Sequence, residues 1–146
     1  MGDSLSRETA ERLVEHVRRY TDESLRGAVY YLERDRELLY IREDIREMYS
    51  PEEIDAVVDD LVLEALGDIE RLEHRYHMGP LECTARWFED GIVFHFPYDE
   101  RSGVALSVDH AVASQMGMLT STGVSLLDEH RSGGAAASDG DDQSSE

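Results

Sequence analysis

Three histidines and the single cysteine come closest, by type and spacing, to a metal site. His74 and His77 are three residues apart and would share one face of a helix, and Cys83 follows after a short loop. Imidazole and thiolate groups are the ligands that Zn²⁺ prefers, and His95 would complete a set of four. One hypothesis is therefore a small metal-dependent enzyme or metal-binding protein built on His74, His77 and Cys83.

The expected strand register argues against a complete zinc site. If the apolar residues of two adjacent strands share one face, Trp87 lies opposite Ile92. Cys83 then points into the core, and His95 points to the other side. A bulge at the turn would reverse this parity, so the hypothesis stays open. The alternative interpretation is surface histidines and a buried structural thiol.

Carboxylates form a second group of chemically capable side chains. Mg²⁺ and Ca²⁺ bind carboxylate oxygens, and four aspartates cluster in sequence: Asp44, Asp55, Asp59 and Asp60. A solvated acidic face explains them more simply, because 33 of the 146 residues are Asp or Glu. No Ser or Cys nucleophile has a recognisable base, and no glycine-rich phosphate loop joins a strand to a helix. We therefore predict no catalytic residue, no cofactor and no bound metal.

The densest cluster of polar and aromatic residues lies just before the clearest helix of the chain. Arg and Tyr are the residue types that dominate the energetics of protein interfaces, so this cluster is the candidate interaction surface. Its members are Tyr40, Arg42, Asp44, Arg46 and Tyr49. The alternative is a structural role, in which charge-assisted hydrogen bonds pin the second strand to the following helix.

The clearest helix covers residues 50–66. Ser50 and Glu53 are spaced as a capping box, and Pro51 suits the first helical position. Behind them, apolar residues recur at three- and four-residue spacing, which predicts one buried stripe and an acidic opposite face. The stripe consists of Ile54, Val57, Val58, Leu61, Val62, Ala65 and Leu66. Gly67 is placed to end the helix, and we expect the sheet to be organised around this helix.

The remaining elements alternate between helical and strand patterns. A first helix over about residues 6–20 has Ser4 or Ser6 as its N-cap, and short helical segments are expected at 44–49 and 69–76. Strand patterns cover residues 25–32, 37–42, 81–88, 92–98 and 104–108. Gly91 is expected to supply a positive φ at the turn between the third and fourth strands.

The last helix is unusual because residues 111–127 contain no charged residue, although 32% of the chain is charged. Asp109 is its predicted N-cap, and we expect the helix to be covered on more than one side. Ala113, Gly117 and Ser121 would permit close helix packing, either on the first helix or on a second copy of the chain. We assign residues 1–130 to one domain and residues 131–146 to a disordered acidic tail.

These elements give the order αββα(α)βββα and a five-stranded, largely antiparallel sheet of the α+β class. Over about residues 5–127 this order resembles the roadblock/profilin-like fold, which implies a small dimerising or scaffolding module without catalysis of its own. Four segments also resemble a group of small uncharacterised haloarchaeal proteins, a likeness that implies no activity. They are Tyr-Ile-Arg-Glu-Asp-Ile-Arg-Glu-Met-Tyr-Ser-Pro-Glu-Glu-Ile-Asp at 40–55, Asp-Asp-Leu-Val-Leu-Glu at 59–64, Glu-Cys-Thr-Ala-Arg-Trp-Phe-Glu-Asp at 82–90 and His-Phe-Pro at 95–97.

The net charge of −19 is extreme for a chain with ordinary folding patterns. All 14 basic residues are arginine. An acid excess without lysine indicates adaptation to molar salt, where exposed like charges are screened over about 3 Å. The alternative is an acidic surface that mimics nucleic acid and sequesters a basic partner.

Composition also limits the cellular compartments and the classes of partner that we expect for this chain. Binding to nucleic acid is disfavoured because every arginine has acidic neighbours in sequence. No apolar run approaches the roughly 18 residues of a membrane span, and one cysteine fits a reducing cytoplasm. The leading hypothesis is a non-enzymatic cytoplasmic module from a halophilic archaeon that forms a homodimer and binds an unknown protein partner.

Overall fold

The computed structural model describes residues 3–64 and 69–139. Its helices are α1 (Arg7–Thr21), α2 (Glu43–Met48), α3 (Pro51–Glu64), α4 (Glu70–Tyr76) and α5 (Met116–Asp139). Its strands are β1 (Leu25–Leu32), β2 (Asp35–Ile41), β3 (Thr84–Phe88), β4 (Gly91–Pro97) and β5 (Ser102–Val108). Short 3₁₀ helices precede β1 at Asp22–Ser24 and α5 at His110–Gln115.

The five strands form one antiparallel sheet in the order β2-β1-β5-β4-β3. The predicted α+β class and strand number are confirmed. Strand β2 begins at Asp35 rather than Glu37, because Glu33 takes a positive φ and tightens the hairpin. The positive φ predicted for Gly91 is wrong: among the described glycines only Gly79 has one.

The main core lies between α1, α5 and one face of the sheet, which we call the first face. The opposite face is the second face. Ser6 caps α1 by accepting a hydrogen bond from the Thr9 amide at 3.1 Å. One stripe of α1 is buried, and it consists of Ala10, Leu13, Val14 and Val17. The sheet contributes alternate residues of its central strands, as period-two burial requires: Ile92, Phe94, Phe96, Val104, Leu106 and Val108.

Helix α3 has the predicted cap but not the predicted central place. Ser50 and Glu53 exchange backbone-to-side-chain hydrogen bonds of 2.8 and 3.1 Å, so the capping box is confirmed. Val58 and Leu61 are buried, but Val57 is 43% exposed. The helix contacts the second face of the sheet along only part of its stripe, because α1 and α5 already cover the larger apolar face. The predicted stripe residues Ala65 and Leu66, and the stop at Gly67, lie outside the described residues.

Helix α5 also departs from its expectation. It packs beside α1 through residues such as Leu119, but the opposite side of the uncharged segment is exposed. The expected cover on more than one side is therefore wrong. Apart from Met118, the exposed positions hold small residues, which place little apolar area in water: Ala111, Ser114, Gly117, Ser121 and Ser125. The helix continues past the domain boundary predicted at residue 130 to Asp139, and residues 140–146 of the predicted tail lie outside the described part.

Candidate functional site

A groove of about 570 Å³ lies between the second face of the sheet and the layer formed by α2 and α3. This volume is within the range of pockets that bind small molecules or peptide side chains. Most of its lining is apolar. The apolar side chains that line it include Val29, Leu38, Ile41, Ile45, Met48, Tyr49, Ile54, Val57, Phe88 and Val93.

The groove stays open because the sheet presents small residues beneath it. Gly27 of β1 pairs with Ser107 of β5, and Val29 pairs with Ala105. Side chains of this size fill less depth than the Phe and Leu residues of the first face. Helix α3 would have to move closer to the sheet to exclude the remaining space. The local sequence of the central strands therefore creates the cavity.

Half of the large exposed apolar side chains of the described residues line this groove. Among the described residues, ten large apolar side chains are exposed, and five of them line the cavity. Those five are Leu38, Met48, Tyr49, Val57 and Phe88. Exposed apolar patches on soluble proteins commonly mark binding surfaces, and this one lies on a protein with a charge of −19.

Arg42 holds α2 in position at the edge of the groove. Its guanidinium donates to both carboxylate oxygens of Asp44, at 2.7 and 3.1 Å, and to Asp109 at 2.7 Å. It also donates to the Glu23 carbonyl at 2.8 Å. Hydrogen bonds to Asp44 and Asp109 raise the Arg42 pKa, and the bond from Arg42 lowers the pKa of Asp44. Such charge-assisted bidentate pairs fix geometry as well as charge.

The five residues of the predicted interaction surface do not share one surface. Tyr40 packs on the core side, where the Arg18 guanidinium lies 4.5 Å from its ring centroid. Tyr49 lines the groove on the other side of the sheet. Arg46 is exposed and pairs with none of the described residues. Arg42 and Asp44 have the contacts expected of the structural alternative.

The structure also separates the side chains of the zinc hypothesis. Trp87 pairs with Ile92, so the register is the one that separates Cys83 from His95. Cys83 packs against the core, and burial raises its pKa to about 12, which makes it a poor thiolate ligand at neutral pH. His74 and His77 are exposed on and after α4. Within the described ranges no three His, Cys, Asp or Glu side chains converge on a point that would hold a metal.

The aspartates of the second hypothesis are also dispersed. Asp44 pairs with Arg42, and Asp59 pairs with Arg36 at 2.5 Å. Asp55 and Asp60 are exposed on α3. This arrangement is a solvated acidic face with two ion pairs to neighbouring elements.

A buried polar pair lies on the second face of the sheet, at the end away from the groove. The Tyr31 hydroxyl is 2.9 Å from Nε2 of His95, and both residues are at most 3% exposed. Desolvation lowers the His95 pKa to about 4 and raises that of Tyr31. Thr84, opposite His95 in the adjacent strand, has a buried hydroxyl oxygen without a hydrogen-bond partner among the described residues.

Apart from Tyr49, the residues that line the groove were not identified from the sequence as a binding surface, although one signal was present. Phe88 and Val93 fall on the face that the alternation of β3 and β4 assigns to polar residues. Apolar residues on both faces indicate a sheet covered on both sides. Asp109 gave a misleading signal: it was predicted as the N-cap of the last helix, but it precedes the 3₁₀ helix His110–Gln115. Its side chain caps none of the described backbone amides there, because its carboxylate binds Arg42.

Solved structures with the same arrangement of elements place the chain in a class. An MglB described as having a tetrameric arrangement has a TM-score of 0.50 and 16% identity, covering 87% of this chain and 96% of the other. The gliding protein MglB from Thermus thermophilus gives 0.47 and 14%, with coverage of 86% and 96%. The first of these two matches shows that the fold is the roadblock-like α+β fold.

The family is defined by sequence. Residues 11–128 match the family described as domain of unknown function DUF7522, and the chain belongs to that family. No curated protein matches the sequence. Among the helices of the described residues, none has the length and apolar character that crossing a membrane requires.

Proposed function

We propose that this chain is a non-catalytic protein interaction module and that the groove between α2, α3 and the sheet is its binding surface. One observation carries the proposal: half of the ten large exposed apolar side chains in the described residues line this one cavity. Tyr49 and Phe88 supply aromatic anchors at the rim, the residue type that most often dominates binding energy. The bound partner is an unidentified protein.

The contacts around Arg42 support a groove that exists before binding. Arg42 joins the end of β2, the first turn of α2 and the segment before α5. A wall fixed in this way does not have to be ordered when a partner binds, which lowers the entropic cost of association. In this proposal Tyr49 is the only member of the predicted interaction cluster that contacts the partner, and Arg42 and Asp44 position the helix beside it.

Self-association as a homodimer is part of the proposal, through a different surface. Two copies that each carry a charge of −19 repel, so a contact between them favours a surface without acidic groups. The exposed side of residues 111–127 is such a surface, with Met118 51% exposed.

Light scattering in molar KCl should give twice the chain mass of 16.6 kDa. A Met118→Glu variant should be monomeric, and Ala56→Glu on exposed α3 should remain dimeric.

Composition supports the proposed setting of the module. The absence of lysine and the charge of −19 favour a halophilic, archaeal origin, and the one cysteine favours a cytoplasmic location. No specific contact among the described residues favours the metal-dependent enzyme or the nucleic-acid mimic over the interaction module.

A pair of neighbouring positions on α3 tests the proposed surface. Val57 lines the groove, and Ala56 is exposed but does not line it. A photo-reactive amino acid is placed at each position in turn, and the cells that naturally make the chain are irradiated. We expect a discrete covalent adduct with another protein from position 57 and none from position 56. Equal labelling at both positions, or no adduct from position 57, would contradict the proposal.

A further inference from the structure

The mouth of the groove is acidic on two sides. Asp60 lines it from α3, and Glu89 and Asp90 line it from the turn between β3 and β4. All three residues are exposed. They come from two separate parts of the sequence, and the fold places them around one apolar cavity.

The two arginines that also line the groove are already engaged inside the chain. The Arg26 guanidinium lies 3.5 Å from the Asp109 carboxylate and donates to the Asp90 carbonyl at 3.3 Å. Its side chain is only 15% exposed. Arg86 likewise has an interaction within the chain. Among the described charged residues of the lining, only the three acids are exposed, and both arginines are half-buried.

Helix α3 extends this acidic wall. Its sequence from Pro51 to Glu64 contains acidic residues in every turn and no basic residue. Of these acids, Asp59 is paired with Arg36, and Asp55 and Asp60 are exposed. A ligand entering along α3 meets exposed carboxylates above an apolar floor.

We propose that the occupant of the groove is a segment of a different protein whose apolar side chains enter the cavity and whose flanking Arg or Lys residues pair with Asp60, Glu89 and Asp90. This inference rests on the proposed function and adds the chemistry of the partner. Charge complementarity of this kind sets specificity and the rate of association more than it sets the final affinity. Apolar contact supplies the affinity, and the acids select the partner.

The same charges disfavour the two occupants that this chain itself supplies. A second copy carries a net charge of −19 and would bring further acids to an acidic mouth. The last residues, Gly-Asp-Asp-Gln-Ser-Ser-Glu at 140–146, are acidic and contain no large apolar side chain. Like charges brought together at an interface are repelled, which excludes wrong partners.

Synthetic peptides with one apolar centre and different flanks test the inference. Three fluorescein-labelled peptides carry the central sequence Leu-Ile-Phe-Leu with three Arg, three Gln or three Glu residues on each side. A fourth keeps the Arg flanks and replaces the centre by Ser. Binding is followed by fluorescence anisotropy at the lowest KCl concentration that keeps the chain folded by circular dichroism. We expect the Arg-flanked peptide to bind at least tenfold more tightly than the Glu-flanked one, and the Ser peptide to bind at least tenfold more weakly.

Charge-neutralising variants locate the interaction. Asp60→Asn and Glu89→Gln should each weaken binding of the Arg-flanked peptide about two- to fivefold, as expected for exposed ion pairs. Neither should change binding of the Gln-flanked peptide. Glu15→Gln, at an exposed position of α1 on the other face of the sheet and outside the groove lining, is the matched control and should leave both affinities unchanged.

Three outcomes would overturn the inference. They are equal affinity for the Arg- and Glu-flanked peptides, absence of binding by any peptide, and a covalent adduct at position 57 that consists of two copies of this chain. The first two leave the proposed function standing if position 57 still gives a specific adduct with another protein. Failure of the proposed function itself is recognised separately, by an unspecific or absent adduct at that position.

Discussion

At the scale of single residues, His95 is a buried side chain whose ionisation should affect stability. It is 3% exposed, its Nε2 lies 2.9 Å from the Tyr31 hydroxyl, and no described carboxylate is among the causes of its pKa shift. Desolvation is the first cause, and the positive charge of Arg86 adds to it, so the folded protein keeps this imidazole neutral.

The expected consequence is a loss of stability in mildly acidic solution. The His95 pKa is about 4 in the folded chain and about 6.5 when unfolded, so between these values the unfolded state binds more protons. The stability that depends on a neutral His95 is fully present above about pH 6.5. It falls as the pH drops from there to the folded-state pKa of about 4. Between pH 7 and pH 5 we expect wild type to lose about 2 kcal/mol from this residue.

Urea unfolding at pH 7 and pH 5 measures that loss. His95→Gln should remove this part of the pH dependence, and His74→Gln, at an exposed position, should retain it. If wild type and His95→Gln lose the same free energy between the two pH values, the histidine is not held neutral by the fold.

Prediction of single residues from the sequence succeeded where the periodicity of a strand determines to which face of the sheet a side chain points. Period-two alternation in β3 and β4 separated Cys83 from His95 correctly, because a single register aligns the two large apolar faces. It failed for Tyr40 and Tyr49, which are close in sequence but lie on opposite sides of the sheet. A cluster in sequence that spans a strand end and a helix is not a cluster in space.

At the scale of elements, the approach of α5 to the sheet depends on one glycine. A Cβ at Gly123 would lie 2.5 Å from Cε1 of Phe96, a distance that requires the helix or the ring to move. Gly117, earlier in the same helix, has no atom within 4 Å of the corresponding position. The two glycines therefore form a matched pair for testing helix packing.

We expect Gly123→Ala to lower the free energy of unfolding by about 1–3 kcal/mol, because it overpacks the contact with Phe96. Gly117→Ala should raise it by less than about 1 kcal/mol, through helix propensity alone. Urea unfolding of both variants gives the comparison. A Gly123→Ala variant as stable as wild type would mean that α5 lies farther from the sheet than the structure shows.

Element boundaries and element importance were not equally predictable. The capping box of α3 is local chemistry, and Ser50 and Glu53 make the expected bonds. The larger apolar face of the sheet is covered by α1 and α5 together. This arrangement depends on tertiary packing, so it could not be predicted from the sequence of α3 alone. The groove follows from that outcome, because α3 then covers a face with small residues such as Ala105 and Ser107.

At the scale of the whole molecule, the charge of −19 should make stability depend on salt. The described ion pairs involve only part of the acids, and exposed pairs contribute little each. Raising KCl from 0.1 M to 2 M shortens the screening length from about 10 Å to less than about 3 Å and reduces the repulsion among acids such as Asp55 and Asp59.

Thermal unfolding followed by circular dichroism should show a midpoint that rises with KCl over this range. The double variant Glu52→Gln, Asp55→Asn, at exposed positions of α3, should show a smaller rise. A midpoint that does not change between the low and high KCl concentrations would contradict the proposed adaptation to salt.

The overall fold was accessible from the sequence because each strand and helix has a strong local pattern and the αββα(α)βββα order restricts the topology. The proposed binding surface could not be predicted from the sequence, because a cavity forms where neighbouring side chains leave space unfilled. No single residue encodes the groove. It arises from the small side chains on β1 and β5 and from the distance of α3 to the sheet.

The most direct test of the groove as the binding surface uses two adjacent aromatic residues of β3. Phe88 is 55% exposed and lines the groove, and Trp87 is 60% exposed on the opposite face, stacked on His110 at 4.8 Å. The measurement is the dissociation constant for the protein cross-linked at position 57. Phe88→Ser should weaken binding at least tenfold, as for a loss of about 1.4 kcal/mol or more, and Trp87→Ser should change it less than twofold. Wild-type affinity in Phe88→Ser, or an equal loss in both variants, would contradict the account.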